Sequence, residues 1–170
     1  ELTHGPLLKQ LMTHTSGYSY NSPSGSFLDQ ALHQKLGGKP NLNQLLSTLE
    51  KLPLAFNPGT AWRYGLGIDV LGMVLMRLSG KDLGTPMKEQ IFDPLGMNDT
   101  GFFLPEAEIP NLADLHHVGK EGGYEKIEDP FPDPASGRIL NLGDEFPDHW
   151  GGAGLFSTAA DWLKFSNMLR

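Results

Sequence analysis

The chain has 170 residues, 39% of them hydrophobic, with 21 Gly, 13 Pro and a formal charge of -7. That length supports one domain of ordinary size with a hydrophobic core of its own. The acidic balance argues against nucleic acid, which binds a positive surface. No apolar run reaches the roughly 20 residues of a membrane span, and the lack of Cys excludes disulfides and thiol chemistry.

The Gly and Pro content predicts short helices separated by ordered loops. Pro6 to Met12 reads as a short helix with Pro near its first turn, ending in the turn His14-Thr15-Ser16-Gly17, where Thr and Ser hydroxyls bond to backbone. Phe27 to Leu36 carries apolar residues at Leu28, Ala31, Leu32 and Leu36, and Gly37-Gly38 stops it. Asn41 to Leu52 repeats the period with Leu42, Leu45, Leu46, Leu49 and Leu52 before Pro53, so the two helices are expected to share one core. Gly67 to Leu78 is apolar nearly all round, which predicts burial, and a further helix runs from about Asp82 to Phe92. Leu115 to Val118 and Tyr124 to Ile127 read as a small β-hairpin. Asp129 to His149 is a long loop whose Phe131 and Phe146 argue for order. The last helix starts at Ser157 or Thr158, with Asp161 as capping partner. The chain opens without Met and closes at Arg170 inside a helical pattern, as a segment of a longer protein would.

Few residues announce chemistry. There is no Gly-x-Ser-x-Gly, and no Ser is followed three residues later by Lys. Thr48 and Thr85 have that spacing to Lys51 and Lys88, but Thr85, before Pro86, is expected to cap a helix and Thr48 to lie on a helix surface. His116 and His117 are adjacent on a strand, point to opposite faces and do not share a metal. Asp129, Asp133, Asp144, Glu145 and Asp148 lack the ligand spacing of a calcium loop. No metal or cofactor is expected. What stands out is Tyr64, in Pro58-Gly59-Thr60-Ala61-Trp62-Arg63-Tyr64-Gly65-Leu66-Gly67, a phenol at the mouth of the most apolar helix. Its ordinary reading is packing and hydrogen bonding at a helix start. Its functional reading is a base that takes a proton from a nucleophile.

Five ordered elements tip that choice. They are Leu8 to Gly17, ending in Thr13-His14-Thr15-Ser16-Gly17; Pro58-Gly59-Thr60 with Tyr64; Asp69-Val70-Leu71-Gly72 with Ser79-Gly80; Pro94-Leu95-Gly96-Met97-Asn98-Asp99-Thr100; and Gly151 to Asp161. Together they resemble the serine β-lactamase-like superfamily, which takes in class C β-lactamases, penicillin-binding proteins, family VIII carboxylesterases and related acyltransferases. Each element alone is weak; their order spans nearly the whole chain.

The resemblance implies a mainly α fold with a small β-hairpin: one helical domain of the β-lactamase/transpeptidase-like fold over residues 1–170, lacking most of the α/β sheet domain. It implies three catalytic motifs. Ser-x-x-Lys carries the nucleophile, Tyr-x-Asn shares the proton shuttling, and Lys-Thr-Gly, or Trp-Gly-Gly in esterases, shapes the oxyanion site. Tyr64 matches the second motif; the first and third fall outside the chain. Trp150-Gly151-Gly152 has the form of the third motif but sits inside the Gly-rich element, so position in the motif order rules it out. Trp150, Gly151 and Gly152 are instead expected to border the substrate. Leu66 stands where lactamases have Asn, and a side chain that neither donates nor accepts favours an ester's acyl or alkoxy group over a β-lactam amide. A free phenol, with pKa near 10, is ionised in about one molecule in a thousand at pH 7, so a tyrosine base needs a cation, which the family takes from the missing Lys. Arg63 is not expected to serve, since neighbours at a turn seldom point together. The implied activity is ester hydrolysis or acyl transfer on a small ester or β-lactam-like substrate. β-Lactamase or D-alanyl carboxypeptidase activity, or a non-catalytic penicillin-binding-like sensor, remain open. The chain alone is expected to be inactive and to self-associate through apolar surface that its missing domain would cover.

Overall fold

The computed structural model describes residues 4–36, 41–120, 122–127 and 148–170. Helix α1 (Leu8–Met12) is followed by α2 (Phe27–Leu36), α3 (Leu42–Leu49) and α4 (Gly67–Ser79). Then come α5 (Gly84–Met87), a π-helical turn (Lys88–Phe92), α6 (Asp93–Leu95) and a 3-10 turn (Glu106–Asn111). Strands β1 (His116–Val118) and β2 (Tyr124–Lys126) form an antiparallel hairpin that pairs His117 with Glu125, and α7 (Ala159–Met168) ends the order. Both strands are exposed along their length. Phe131, Phe146 and the loop from 128 to 147 lie outside the described residues, as do Gly37 and Gly38.

The local devices are those the residue types dictate, with three shifts. Asn41 caps α3: its Oδ1 accepts the Gln44 N–H at 2.8 Å, and Gln44 Oε1 accepts the Asn41 N–H at 2.9 Å. The helix stops at Leu49 rather than Leu52, because Pro53 cannot continue it and the chain tightens first, Leu52 N–H donating to Leu49 O at 3.3 Å. Thr85 does not cap; Asp82 does, accepting the Thr85 N–H at 2.9 Å and its hydroxyl at 2.6 Å. The turn from Lys88 to Phe92 is wide because Pro94 lies just beyond it, lacking an N–H and crowding the carbonyl of an ordinary preceding turn.

Leu32 of α2 and Leu45 and Leu49 of α3 form the core with Leu66, flanked by Tyr18, Leu36, Leu52, Val70, Met73 and Trp150. The shared core of α2 and α3 is therefore present. Helix α4 is less enclosed than its composition predicts. Its buried face consists of Gly67, Asp69 and Gly72, while Leu75 is 46% and Leu78 77% exposed. A small-residue face lets other backbones approach closely, and its larger apolar residues fall elsewhere on the helix.

A second junction holds α7. Gly101 and Phe156 exchange backbone hydrogen bonds of 3.1 and 2.8 Å. Fully buried Asp161 accepts the Asp99 N–H at 2.8 Å, the Thr100 hydroxyl at 2.9 Å and Lys164 Nζ at 2.8 Å. Thr158 caps this helix, its hydroxyl accepting the Asp161 N–H at 3.2 Å, so Asp161 is capped rather than capping and its carboxylate is free to tie down residues 99 and 100. No helix among the described residues is long and apolar enough to cross a membrane.

Leu45 is 0% exposed at the centre of this core. Leu45→Ala is expected to destabilise the protein by about 2–5 kcal/mol, read as a shift in the urea midpoint at unchanged slope.

Candidate active site

Two backbone segments cross in front of α4. The Ala55 N–H donates to Gly17 O (2.8 Å), Gly59 N–H to Thr15 O (2.8 Å), Arg63 N–H to His14 O (2.9 Å) and Leu66 N–H to Ser19 O (3.2 Å). The approach is so close that a Cβ on Gly65 would stand 2.0 Å from Tyr18 O, so only glycine fits between Tyr64 and Leu66. His14 adopts φ 55°, a left-handed conformation uncommon for a residue with a Cβ.

Side chains 62 to 64 leave this crossing on two sides. Trp62 and Tyr64 face outward with His14 against both, its ring centroid 6.3 Å from Trp62 edge-on and 4.7 Å from Tyr64. Tyr20 lies 5.3 Å from Tyr64 on its far side. The result is a row of rings in which Tyr64 is 55% exposed. Arg63 goes the other way, to Asp29 and the Ser26 hydroxyl (2.7 Å), which removes it as a cation for Tyr64.

Beneath the row lies Asp69, in the first turn of α4 and 7% exposed. One carboxylate oxygen accepts the Gly152 N–H at 2.9 Å. Burial raises the pKa of this group above the ordinary carboxylate value, outweighing the hydrogen bonds from Gly152 and its own backbone and the nearby His14 imidazole. Burial also raises Tyr20, with the charges of Tyr64 and Asp69 adding to the effect, so Tyr20 stays a neutral phenol. Asp29 runs the opposite way. Burial pushes its pKa up, but hydrogen bonds from the Ser26 hydroxyl and from the Tyr20 and Ser26 N–H groups, with the Arg63 charge, hold it below the ordinary value.

The expected substrate residues divide. Leu66 is corrected: it is not a wall beside Tyr64 but a core residue, 5% exposed among Leu32, Leu45 and Leu49. As the residue entering α4 it follows the helix axis inward, where an apolar side chain is most stable. Trp150 packs half-buried on that same core. Gly151 and Gly152 lie on the first turns of α4, where a Cβ on Gly151 would stand 2.2 Å from Ile68 O and Gly152 reaches Asp69. Tyr20 and His14 pack on Tyr64, and Asp69 lies near both of them; motif reading left all three without a catalytic role. Asp69 had a signal, being the sole charge in the apolar stretch Gly67 to Met76. Among the described residues no group of acidic and His side chains is arranged to hold a metal.

Comparison with known proteins matches residues 3–170 to the family described as Beta-lactamase. Esterase EstB of Burkholderia gladioli is 32% identical over 180 residues, covering 96% of this chain and 44% of that protein. A lovastatin esterase of Penicillium rubens is 32% identical over 172 residues, covering 95% and 39%. Among solved structures, EstCE1, titled a hydrolase with promiscuous acyltransferase activity, superposes with a TM-score of 0.75 at 28% identity, covering 96% of this chain and 45% of that one. The chain thus spans about two fifths of the length of these curated relatives.

The raised pKa of Asp69 makes a signed prediction. A carboxyl group raised by folding favours the folded state most below its unfolded pKa, and that contribution is lost as pH rises through the folded value. Asp69→Asn keeps an oxygen for the Gly152 N–H and removes the charge. Its stability is expected to exceed that of the parent at pH 7, with the difference vanishing toward pH 3, in denaturant titrations across that range.

Proposed function

This chain belongs to the beta-lactamase family, and from that premise we propose that it is the tyrosine-bearing part of a serine hydrolase that cleaves carboxylic esters through an acyl-enzyme. The reading is carried by Tyr64: a phenol at the position of the family's second catalytic motif, more than half exposed and held in a row of rings. The nucleophilic Ser and its Lys belong to the remainder of a longer protein, since no Ser here has Lys three residues on.

In this mechanism the Ser oxygen attacks the ester carbonyl carbon while its proton passes to the Lys–Tyr64 pair. The pair then returns a proton to the departing alkoxide as the carbonyl–oxygen bond breaks. Water, or a second alcohol, attacks the acyl-enzyme by the same route and releases the acid or a new ester. Esterase chemistry is favoured over β-lactamase chemistry by the likeness to the esterases of Burkholderia gladioli and Penicillium rubens. Acyl transfer to an alcohol is the second reading, favoured by the likeness to EstCE1.

Two outcomes test this. The 170-residue chain alone is expected to give no turnover of a short-chain aryl ester, because losing one member of a nucleophile–base unit costs about a millionfold. In the complete protein, Tyr64→Phe is expected to lower kcat by about 10²–10⁴-fold with an unaltered thermal midpoint, the ring being retained. Full activity of that variant would exclude the assigned role.

A further inference from the structure

Tyr64 is exposed at a chain crossing, yet a proton-transfer group must keep one orientation to work. Its ring contacts are His14 and Tyr20, and its chain neighbour Arg63 leaves on the opposite side. We propose that Asp29 is a positioning residue for Tyr64, acting through its bonds to Arg63 and to the backbone of Tyr20. The inference rests on the catalytic reading of Tyr64 above.

Asp29 sits in the first turn of α2 and is 4% exposed. Its Oδ1 accepts the backbone N–H of Tyr20 at 2.8 Å. Its Oδ2 accepts the Ser26 N–H at 2.7 Å, the Ser26 hydroxyl at 2.8 Å and the Arg63 guanidinium. One carboxylate therefore joins residue 20, the start of α2, and residue 63, which is 34 positions away from it. Capping α2 needs only Ser26 and the N–H groups of the first turn. The bonds to Tyr20 and Arg63 serve no helix. One holds the backbone of Tyr20, whose ring lies 5.3 Å from that of Tyr64, and the other holds Arg63, the chain neighbour of Tyr64. The helix itself rests on the core leucines, so both bonds are anchored to the most enclosed part of the described structure.

The arrangement also explains the choice of an acid. An amide at this position would donate where Arg63 already donates, and only an ionised carboxylate accepts all four bonds without conflict. Loss of the clamp lets residues 20 and 63 drift apart. A displacement of about 1 Å at a reacting group costs up to about 10²-fold in rate. Asp29 is buried and offers no surface to a substrate, so the loss falls on kcat rather than KM.

The experiment is a cycle in the complete protein between Asp29→Asn and Tyr64→Phe, with aryl-ester hydrolysis as the readout and thermal midpoints measured alongside. Asp29→Asn is expected to lower kcat by about 10- to 10²-fold with KM within about twofold. In the Tyr64→Phe background the same change is expected to leave the residual rate within about twofold, because nothing remains to be positioned. Should Asp29→Asn impair folding, Arg63→Met, which keeps the α2 cap, carries the same expectation, and Arg63→Lys should restore most of the rate. Equal loss in both backgrounds, or no loss of kcat beside an inactive Tyr64→Phe, would show that Asp29 only stabilises the fold and overturn the proposal. Full activity of Tyr64→Phe would instead remove the catalytic reading on which it rests.

Discussion

The first turn of α4 is pressed against bare backbone on more than one side, and the rest of the described structure follows from that closeness. Tyr18 O faces Gly65 and Ile68 O faces Gly151 at separations that leave no room for a Cβ. Four hydrogen bonds between residues 14–19 and 55–66 hold the crossing in register. Side chains excluded from the contact have two places to go. Leu66 turns into the core, and Trp62 and Tyr64 stand outside on the surface of the crossing. Tyr64 thereby stands between the backbone hydrogen bonds of Arg63 and Leu66, which tie its segment to residues 14 and 19.

Three buried carboxylates show how surroundings set charge. Asp29 and Asp161 each receive several donors and a cation, so their ionised forms are favoured despite burial. Asp69 receives the Gly152 N–H and its own, and no cation bonds it among the described residues, so burial prevails and its charge is disfavoured. The first two stitch loops to helices.

Element positions were legible in the residues wherever period and punctuation agreed. Helix α2 was bounded by its apolar period, and α3 was announced by the same period at Leu42, Leu45, Leu46 and Leu49. The hairpin was signalled by glycines between two short runs, one of them Tyr124 to Ile127. Misreadings arose where a residue type serves two masters. Thr85 resembled a cap but is itself held by Asp82, and Asp161 resembled a capping partner but reaches across to residues 99 and 100. The bonds of Asp161 join it to donors 62 and 61 positions away, which local spacing does not encode.

The sequence by itself determined that the chain is mainly helical and that it carries the ordered elements of the beta-lactamase family. Those properties reside in residue order and short-range periodicity. Only the tertiary structure decided that Leu66 is core, that Arg63 belongs to Asp29, and that the rings of Tyr20 and His14 pack on Tyr64. The direction of a side chain at a chain crossing is settled by which backbone it meets, and that backbone comes from residues tens of positions away.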